Sequence, residues 1–71
     1  MIKAIPKNIK KSRLEQGFNQ ADVCEGIGLN PSTYNQIENG KAGLRPRTAK
    51  KICDFLRKPF NELFEVVDKE V

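Results

Sequence analysis

The sequence predicts a small all-α domain of five short helices, with room for strands only at its two ends. Its 71 residues are enough for one domain, 1–71, and too few for two. Apolar residues recur at spacings of three and four in five successive segments, which is the helical period. Glycines, prolines and asparagines stand where helices of that length would begin or end.

The helix ends are marked by residues whose backbone preferences fit a cap. A glycine in the left-handed conformation commonly ends a helix, and the glycines placed to do so are Gly17, Gly28 and Gly40. Asn19 and Asn30 precede two of the segments as candidate N-caps. Pro31 and Pro46 fit a first helical turn, where the missing N–H would be unpaired anyway. The predicted helices are 7–16, 20–27, 31–39, 46–57 and 60–65.

Each predicted helix carries its apolar side chains on one side, so we expect the helices to pack around a common core. The residues expected there are Val23, Cys24, Ile27, Tyr34, Ile37, Ala49, Ile52, Cys53, Leu56, Phe60, Leu63 and Phe64. Packing is favoured over a disulfide or redox switch for the two cysteines, because free cysteine behaves as a small buried hydrophobe.

The two ends of the chain are less sharply defined. Segments 1–5 and 65–71 are short and partly alternating or rich in β-branched residues, so each can form a strand and the two can pair. The preferred interpretation is nevertheless that both ends are frayed.

Charge is distributed unevenly along the chain. The net charge is +4, but residues 1–58 hold twelve basic and five acidic residues, whereas 59–71 hold one and four. A basic body with an acidic tail favours a polyanionic partner such as nucleic acid. The alternative is an ordinary solvated surface.

Several classes of protein are not expected. No apolar run approaches the roughly 20 residues that span a bilayer, and the N-terminus lacks a secretory signal pattern. With no histidine and two distant cysteines, no metal site and no cofactor are expected. The absence of histidine, the commonest general base, argues against an enzyme, and Glu62 and Glu65 are expected to be solvated. A small-molecule effector is not expected, because no second domain could hold it.

Segment 20–39 has the layout of a helix-turn-helix, in which a glycine-containing turn joins two short helices. In such a unit the second helix lies in the major groove of DNA. Tyr34 and Ile37 would face the core, while Ser32, Asn35 and Gln36 would face outward. Glutamine can make two hydrogen bonds to adenine, and serine can pair with any base edge. The alternative is again a solvated helix face.

Segment 28–41, GLNPSTYNQIENGK, resembles the recognition segment of the Cro and phage-repressor type helix-turn-helix family, often called Xre. The Ile-Glu-Asn-Gly element at 37–40 and Gln20 at the start of the second helix are specific in combination. The resemblance covers roughly 8–64. It implies a five-helix, lambda-repressor-like domain that binds double-stranded DNA, usually as a homodimer on a palindromic operator. The implied location is the bacterial cytoplasm, on the nucleoid when bound.

The resemblance also implies roles for individual residues. Those placed to face bases are Ser32 and Gln36, together with Pro31, which has no donor and could read its base only by shape or a methyl contact. Asn35, on the outward side of the same helix, is expected to contribute less to base reading. Those placed near phosphates are Asn19, Gln20, Asn39, Lys41, Arg45 and Arg47. Arg13 and Glu38 are expected to form a partly buried ion pair. Two departures from the family are Ser12, where an apolar residue is common, and Arg45, where a small helix cap is usual.

The function expected from these observations is sequence-specific regulation of transcription, as a repressor. Dimer contacts are expected from the fifth helix and the terminal segments, through Phe60, Phe64, Val66 and Val67. The alternative is an antitoxin-like protein that chiefly neutralises a partner protein. Such proteins usually carry an extra segment to wrap the partner, and about seven residues follow Phe64 here.

Overall fold

Five helices and two short strands make up residues 1–67, the part of the chain that the computed structural model describes. In chain order they are β1 (Ile2–Ala4), α1 (Pro6–Glu15), α2 (Gln20–Ile27), α3 (Pro31–Glu38), α4 (Pro46–Leu56), α5 (Phe60–Leu63) and β2 (Phe64–Val66). The predicted five-helix fold is confirmed. Five of the ten helix ends lie where they are predicted and four differ by one residue, whereas α5 ends two residues earlier because its last predicted residues belong to β2.

The predicted caps of α2 and α3 are present. The Asn19 side chain accepts a hydrogen bond from the backbone N–H of Asp22, and the Asp22 carboxylate accepts one from the backbone N–H of Asn19, at 2.8 and 2.9 Å. Asn30 likewise accepts from the backbone N–H of Ser32 at 2.8 Å. These bonds satisfy N–H groups that a helix start otherwise leaves unpaired, and so fix where α2 and α3 begin.

Helix α4 is bounded differently. Arg45 precedes it without any side-chain cap, as its departure from the family predicts, and Pro46 occupies the first turn. At the other end Arg57 adopts the left-handed conformation with φ of 57°, which among residues 1–67 only glycines otherwise share. An arginine there carries a steric cost that glycine would not.

The core lies where the helices meet. Its buried apolar residues are Ala4, Ile9, Val23, Cys24, Tyr34, Ile37, Ala49, Ile52, Leu56, Leu63 and Phe64. Three predicted core residues are only partly covered: Ile27 and Cys53 are half-buried, and Phe60 lies at the surface with its ring 5.6 Å from that of Phe64. Both cysteines are free, and burial raises the pKa of each thiol.

Ser12 is buried at the position where the family favours an apolar residue. The side-chain amide of Gln16 donates to the Ser12 hydroxyl at 3.3 Å and to the backbone oxygen of Leu56 at 2.6 Å. The polar side chain is therefore tolerated because Gln16, the residue just after α1, supplies its hydrogen-bond partner.

The two ends of the chain pair with each other, so the preferred interpretation of frayed ends is wrong for residues 1–67. β1 and β2 are antiparallel, with Ile2 opposite Val66 and Ala4 opposite Phe64. Ala4 and Phe64 are buried, and this burial helps to hold the pair in place. The rest of the predicted C-terminal strand, 68–71, lies outside the described residues.

The other edge of β1 holds the loop that follows α3. The backbone N–H of Leu44 donates to the Ile2 oxygen at 3.0 Å. β1 therefore connects the α3–α4 loop to the C-terminal strand. Within residues 1–67, every helix is too short or too polar to cross a membrane.

Candidate nucleic-acid interface

Helices α2 and α3 and the turn between them form the unit that the sequence predicts. Gly28 takes the left-handed conformation at the end of α2, with φ of 70°, and Asn30 caps α3 two residues later. Tyr34 and Ile37 are buried beneath α3. The predicted division of α3 into an apolar inner side and a polar outer side is therefore present.

The outer side of α3 carries the residues predicted to face bases. Pro31, Ser32, Asn35 and Gln36 are all exposed. Within residues 1–67, neither the Ser32 hydroxyl nor the Gln36 amide makes a side-chain hydrogen bond, so both are available to a ligand. Ser32 and Gln36 are one helical turn apart and so lie on the same face.

A buried ion pair braces this unit against α1. Arg13 Nε lies 2.8 Å from Glu38 Oε2 and Nη2 lies 3.1 Å from Oε1, which is the two-pronged geometry that the sequence predicts. Arg13 Nη1 also donates to the Phe18 backbone oxygen at 3.0 Å. The arginine thus joins α1, the α1–α2 connection and the end of α3.

The Glu38 carboxylate accepts two further hydrogen bonds. The Tyr34 hydroxyl donates to Oε2 at 2.9 Å, and Gln20 Nε2 donates to Oε1 at 2.7 Å. The Glu38 side chain has no exposed surface. Such a buried charge is stable only when it is paired and hydrogen-bonded, and here Arg13 supplies the opposite charge.

The pKa values follow from this arrangement. Burial alone would raise the pKa of Glu38, but the hydrogen bonds from Arg13, Gln20 and Tyr34 outweigh it and leave the pKa below its ordinary value. The hydrogen bond to Glu38 raises the pKa of Arg13. Burial, together with the Glu38 charge, raises the pKa of the Tyr34 hydroxyl. Glu38 is therefore ionised at neutral pH.

Three side-chain amides continue from this carboxylate towards the surface. Asn35 Nδ2 donates to Gln20 Oε1 at 3.1 Å, and Asn39 Nδ2 donates to Asn35 Oδ1 at 3.3 Å and to the Asn35 backbone oxygen at 2.9 Å. The sequence interpretation missed these contacts. The spacing of Asn35 and Asn39 places them on one helix face, but the approach of Gln20 depends on how α2 packs.

The residues predicted to lie near phosphates fall into two groups. Lys41, Arg45 and Arg47 are exposed cations in or beside the α3–α4 loop. The backbone N–H of Lys41 is tied to the Gln36 oxygen at 2.9 Å. The other group consists of the amides of Asn19, Gln20 and Asn39, each of which already makes hydrogen bonds within the protein.

The fold and this unit define a helix-turn-helix domain, and comparison with known proteins agrees. A family model described as helix-turn-helix matches residues 9–63, most of the chain. The chain belongs to this family, in its Xre-type branch.

Among the residues 1–67, no cluster of three or more potential metal ligands is present.

Two curated relatives bear regulatory names. The cryptic phage CTXphi transcriptional repressor RstR of Vibrio cholerae is 34% identical over 55 residues, which are 78% of this chain and 50% of that protein. The uncharacterized HTH-type transcriptional regulator YqaF of Bacillus subtilis (strain 168) is 36% identical over 64 residues, 90% of this chain and 84% of that protein. The chain thus matches about half the length of RstR.

Proposed function

We propose that this protein is a sequence-specific DNA-binding regulator of transcription, a repressor that binds a palindromic operator as a homodimer. The observation that carries the proposal is the outer side of α3, where exposed polar side chains project from a helix whose inner side is held by a buried ion pair. The names of RstR and YqaF support the regulatory role.

Ser32 and Gln36 are the proposed base readers. Both are exposed, and their side chains are not used elsewhere in residues 1–67. Gln36 can hydrogen-bond adenine through its oxygen and its nitrogen together, and Ser32 can donate or accept. Pro31 is exposed beside them and can offer only an apolar contact, for example to a thymine methyl.

The proposed phosphate contacts come from the loop and the helix starts. Lys41, Arg45 and Arg47 supply positive charge near α3 and the start of α4. Asn19, Gln20 and Asn39 supply amide donors. Phosphate contacts of this kind set the register of a protein on the duplex and carry no direct sequence information.

The proposed dimer surface lies at β2 and α5. Val66 is 69% exposed and Phe60 37% exposed, while Val67 is partly covered. Phe64, which the sequence interpretation placed in this surface, is 1% exposed and is a core residue instead. A dimer suits the function because two-fold proteins match half-sites about 10 bp apart.

The test is to select bound sites from a pool of random duplexes with the wild type and with Gln36→Ala. We expect the wild type to return two related half-sites. A bidentate glutamine–adenine pair gives about 1–3 kcal/mol of discrimination, so Gln36→Ala should lose about tenfold affinity for the preferred site. It should relax one base pair in each half-site and leave non-specific binding nearly unchanged.

Asn8→Ala is the matched control, because Asn8 is an exposed amide residue on α1, outside the surfaces proposed for DNA and for the dimer. It should return the wild-type site. Wild-type selectivity in Gln36→Ala would show that α3 does not read the bases. Co-purification of a second small protein with the wild type would instead favour the antitoxin-like alternative.

A further inference from the structure

An unbroken series of side-chain hydrogen bonds leads from the exposed side of α3 to the buried carboxylate of Glu38. Asn39 donates to Asn35, Asn35 donates to Gln20, and Gln20 donates to Glu38, at 3.3, 3.1 and 2.7 Å. We call Asn39, Asn35 and Gln20 the amide chain. It links the two helices of the helix-turn-helix unit, since Gln20 begins α2 and Asn35 lies in α3.

The direction of these hydrogen bonds is set by Glu38. An ionised carboxylate can only accept, so the side chain of Gln20 must turn its nitrogen inward and its oxygen towards Asn35. Asn35 must then offer its nitrogen to that oxygen and turn its own oxygen towards Asn39. Reversing any one amide would place two oxygens or two nitrogens face to face.

The fixed direction decides what the amide chain can offer to a ligand. Each amide nitrogen carries two N–H groups, and Gln20 and Asn35 each use one of them within the protein. The oxygen of each side chain accepts a hydrogen bond from its neighbour in the amide chain, whereas one N–H of each has no partner within residues 1–67. Asn35 is exposed and Gln20 is half-exposed, so towards solvent this pair presents N–H donors.

Free N–H donors suit a partner that only accepts, which on DNA is a phosphate oxygen or the N7 and O6 edge of guanine. Reading adenine requires an asparagine or glutamine to donate and accept at once, and the Asn35 oxygen would have to accept while it keeps its hydrogen bond from Asn39. A phosphate is favoured over guanine because Gln20 begins α2, and the first helix of a helix-turn-helix crosses the DNA backbone, where N–H groups are common partners of phosphates. The charge of Glu38 does not oppose this, since Arg13 pairs with it.

We propose that Asn35 binds a DNA phosphate together with Gln20, rather than reading a base, and that Glu38 is the positioning residue that aims their N–H groups outward. This rests on the proposed function and deepens it, because it removes Asn35 from the base-reading set and leaves Ser32 and Gln36 there. It also gives Glu38 a role in binding in addition to its ion pair.

The test compares Asn35→Asp with Asn8→Asp, which adds the same charge on α1. Kd is measured for the selected site and for a scrambled duplex. The carboxylate introduced by Asn35→Asp can neither donate to Gln20 nor approach a phosphate without repulsion. A hydrogen bond to a charged group typically changes affinity by about tenfold or more, so Asn35→Asp should weaken both duplexes by about that factor relative to Asn8→Asp. Base preference should not change at any position.

Asn35→Ala serves as the second variant, because it removes the donor without adding charge. It should weaken both duplexes alike and by less than Asn35→Asp. A changed preference at one base pair in either variant would make Asn35 a base reader and overturn the proposal. Affinities equal to those of Asn8→Asp would show that the amide chain does not contact DNA.

The direction of the amide chain is tested in the free protein by the side-chain NH2 resonances of Gln20. One of its protons should be shifted downfield by the charged acceptor. Asn35→Ala should change the chemical shifts of the two Gln20 protons, whereas Asn8→Ala should not. Equal responses to the two variants would contradict the coupling. A wild type that binds no duplex would overturn the proposed function itself, whereas normal wild-type binding with an inert Asn35 would overturn only this inference.

Discussion

At the scale of single residues, Glu38 accounts for more of the local structure than any sequence pattern indicates. It accepts hydrogen bonds from Arg13, Tyr34 and Gln20, which come from α1, α3 and α2. A buried acid with these partners holds three helices in register. Breaking such a pair from one side leaves an uncompensated buried charge, and that cost exceeds the net value of the pair.

Arg13→Ala is therefore expected to destabilise the fold by about 3–5 kcal/mol. Lys11→Ala is the matched control, because Lys11 is an exposed basic residue on the same helix, and it should cost under ~0.5 kcal/mol. Denaturant unfolding of both variants measures the difference. Equal midpoints would mean that the ion pair contributes nothing to stability.

At the scale of elements, the ends of α2 and α3 were predictable because their signals are local. Asn19 and Asp22 are three residues apart, and their hydrogen bonds depend on little beyond that spacing. The pairing of β1 with β2 was not predictable in the same way. Ile2 and Val66 lie far apart in the sequence. The alternation of apolar and polar residues in a three-residue strand is too short to distinguish a paired strand from a frayed end.

The candidate site shows the same difference between features that local sequence predicts and features that depend on packing between helices. The exposure of Ser32 and Gln36 follows from the helical period, which places them opposite Tyr34 and Ile37. The engagement of the Asn35 amide does not, because it depends on where α2 brings Gln20. Sequence reasoning thus finds which side of a helix faces outward but not which outward side chains are already occupied.

The end of α4 provides a test at this scale. Arg57 holds the left-handed conformation without being a glycine, which costs roughly 1–2 kcal/mol for a residue with a Cβ. Arg57→Gly relieves that cost but adds freedom to the unfolded chain, a loss of about 0.5–1 kcal/mol. We expect a net gain of about 0.5–1 kcal/mol, seen as a higher Tm.

Gly28→Ala is the control, and we expect it to lower stability where Arg57→Gly raises it. Gly28 has φ of 70° at the end of α2, and a Cβ there would meet no atom within 4 Å. Any loss of stability in Gly28→Ala therefore reports backbone strain alone. A lower Tm for Arg57→Gly would mean that the arginine side chain stabilises the helix end by more than its backbone costs.

At the scale of the whole molecule, the terminal sheet connects the two proposed surfaces. β1 bonds to β2 on one edge and to Leu44 on the other. The proposed dimer surface at β2 and the proposed phosphate loop therefore share one backbone framework. Because of this connection, the two loops of a dimer would be held at a defined separation, as half-site spacing requires.

Binding by such a dimer should depend steeply on salt. If it neutralises about 6–10 phosphates, log affinity should fall with log salt at a slope of roughly −5 to −9, because each phosphate contact releases counterions. Lys41→Ala and Arg47→Ala should each weaken all duplexes alike. Each substitution should flatten the slope by about 1 per protomer, and so by about 2 in a dimer.

Lys58→Ala is the control for this measurement, because it removes the same charge beyond the other end of α4, where Lys58 lies 3.9 Å from Glu62. Its slope should match the wild type, since Debye screening at about 10 Å in 0.1 M salt limits the influence of a distant charge. Titration of duplex at four or more salt concentrations gives the slope for the wild type and for each variant. If Lys58→Ala flattens the slope as much as Arg47→Ala, the salt dependence reflects the net charge of the protein alone. The α3–α4 loop would then make no specific phosphate contacts.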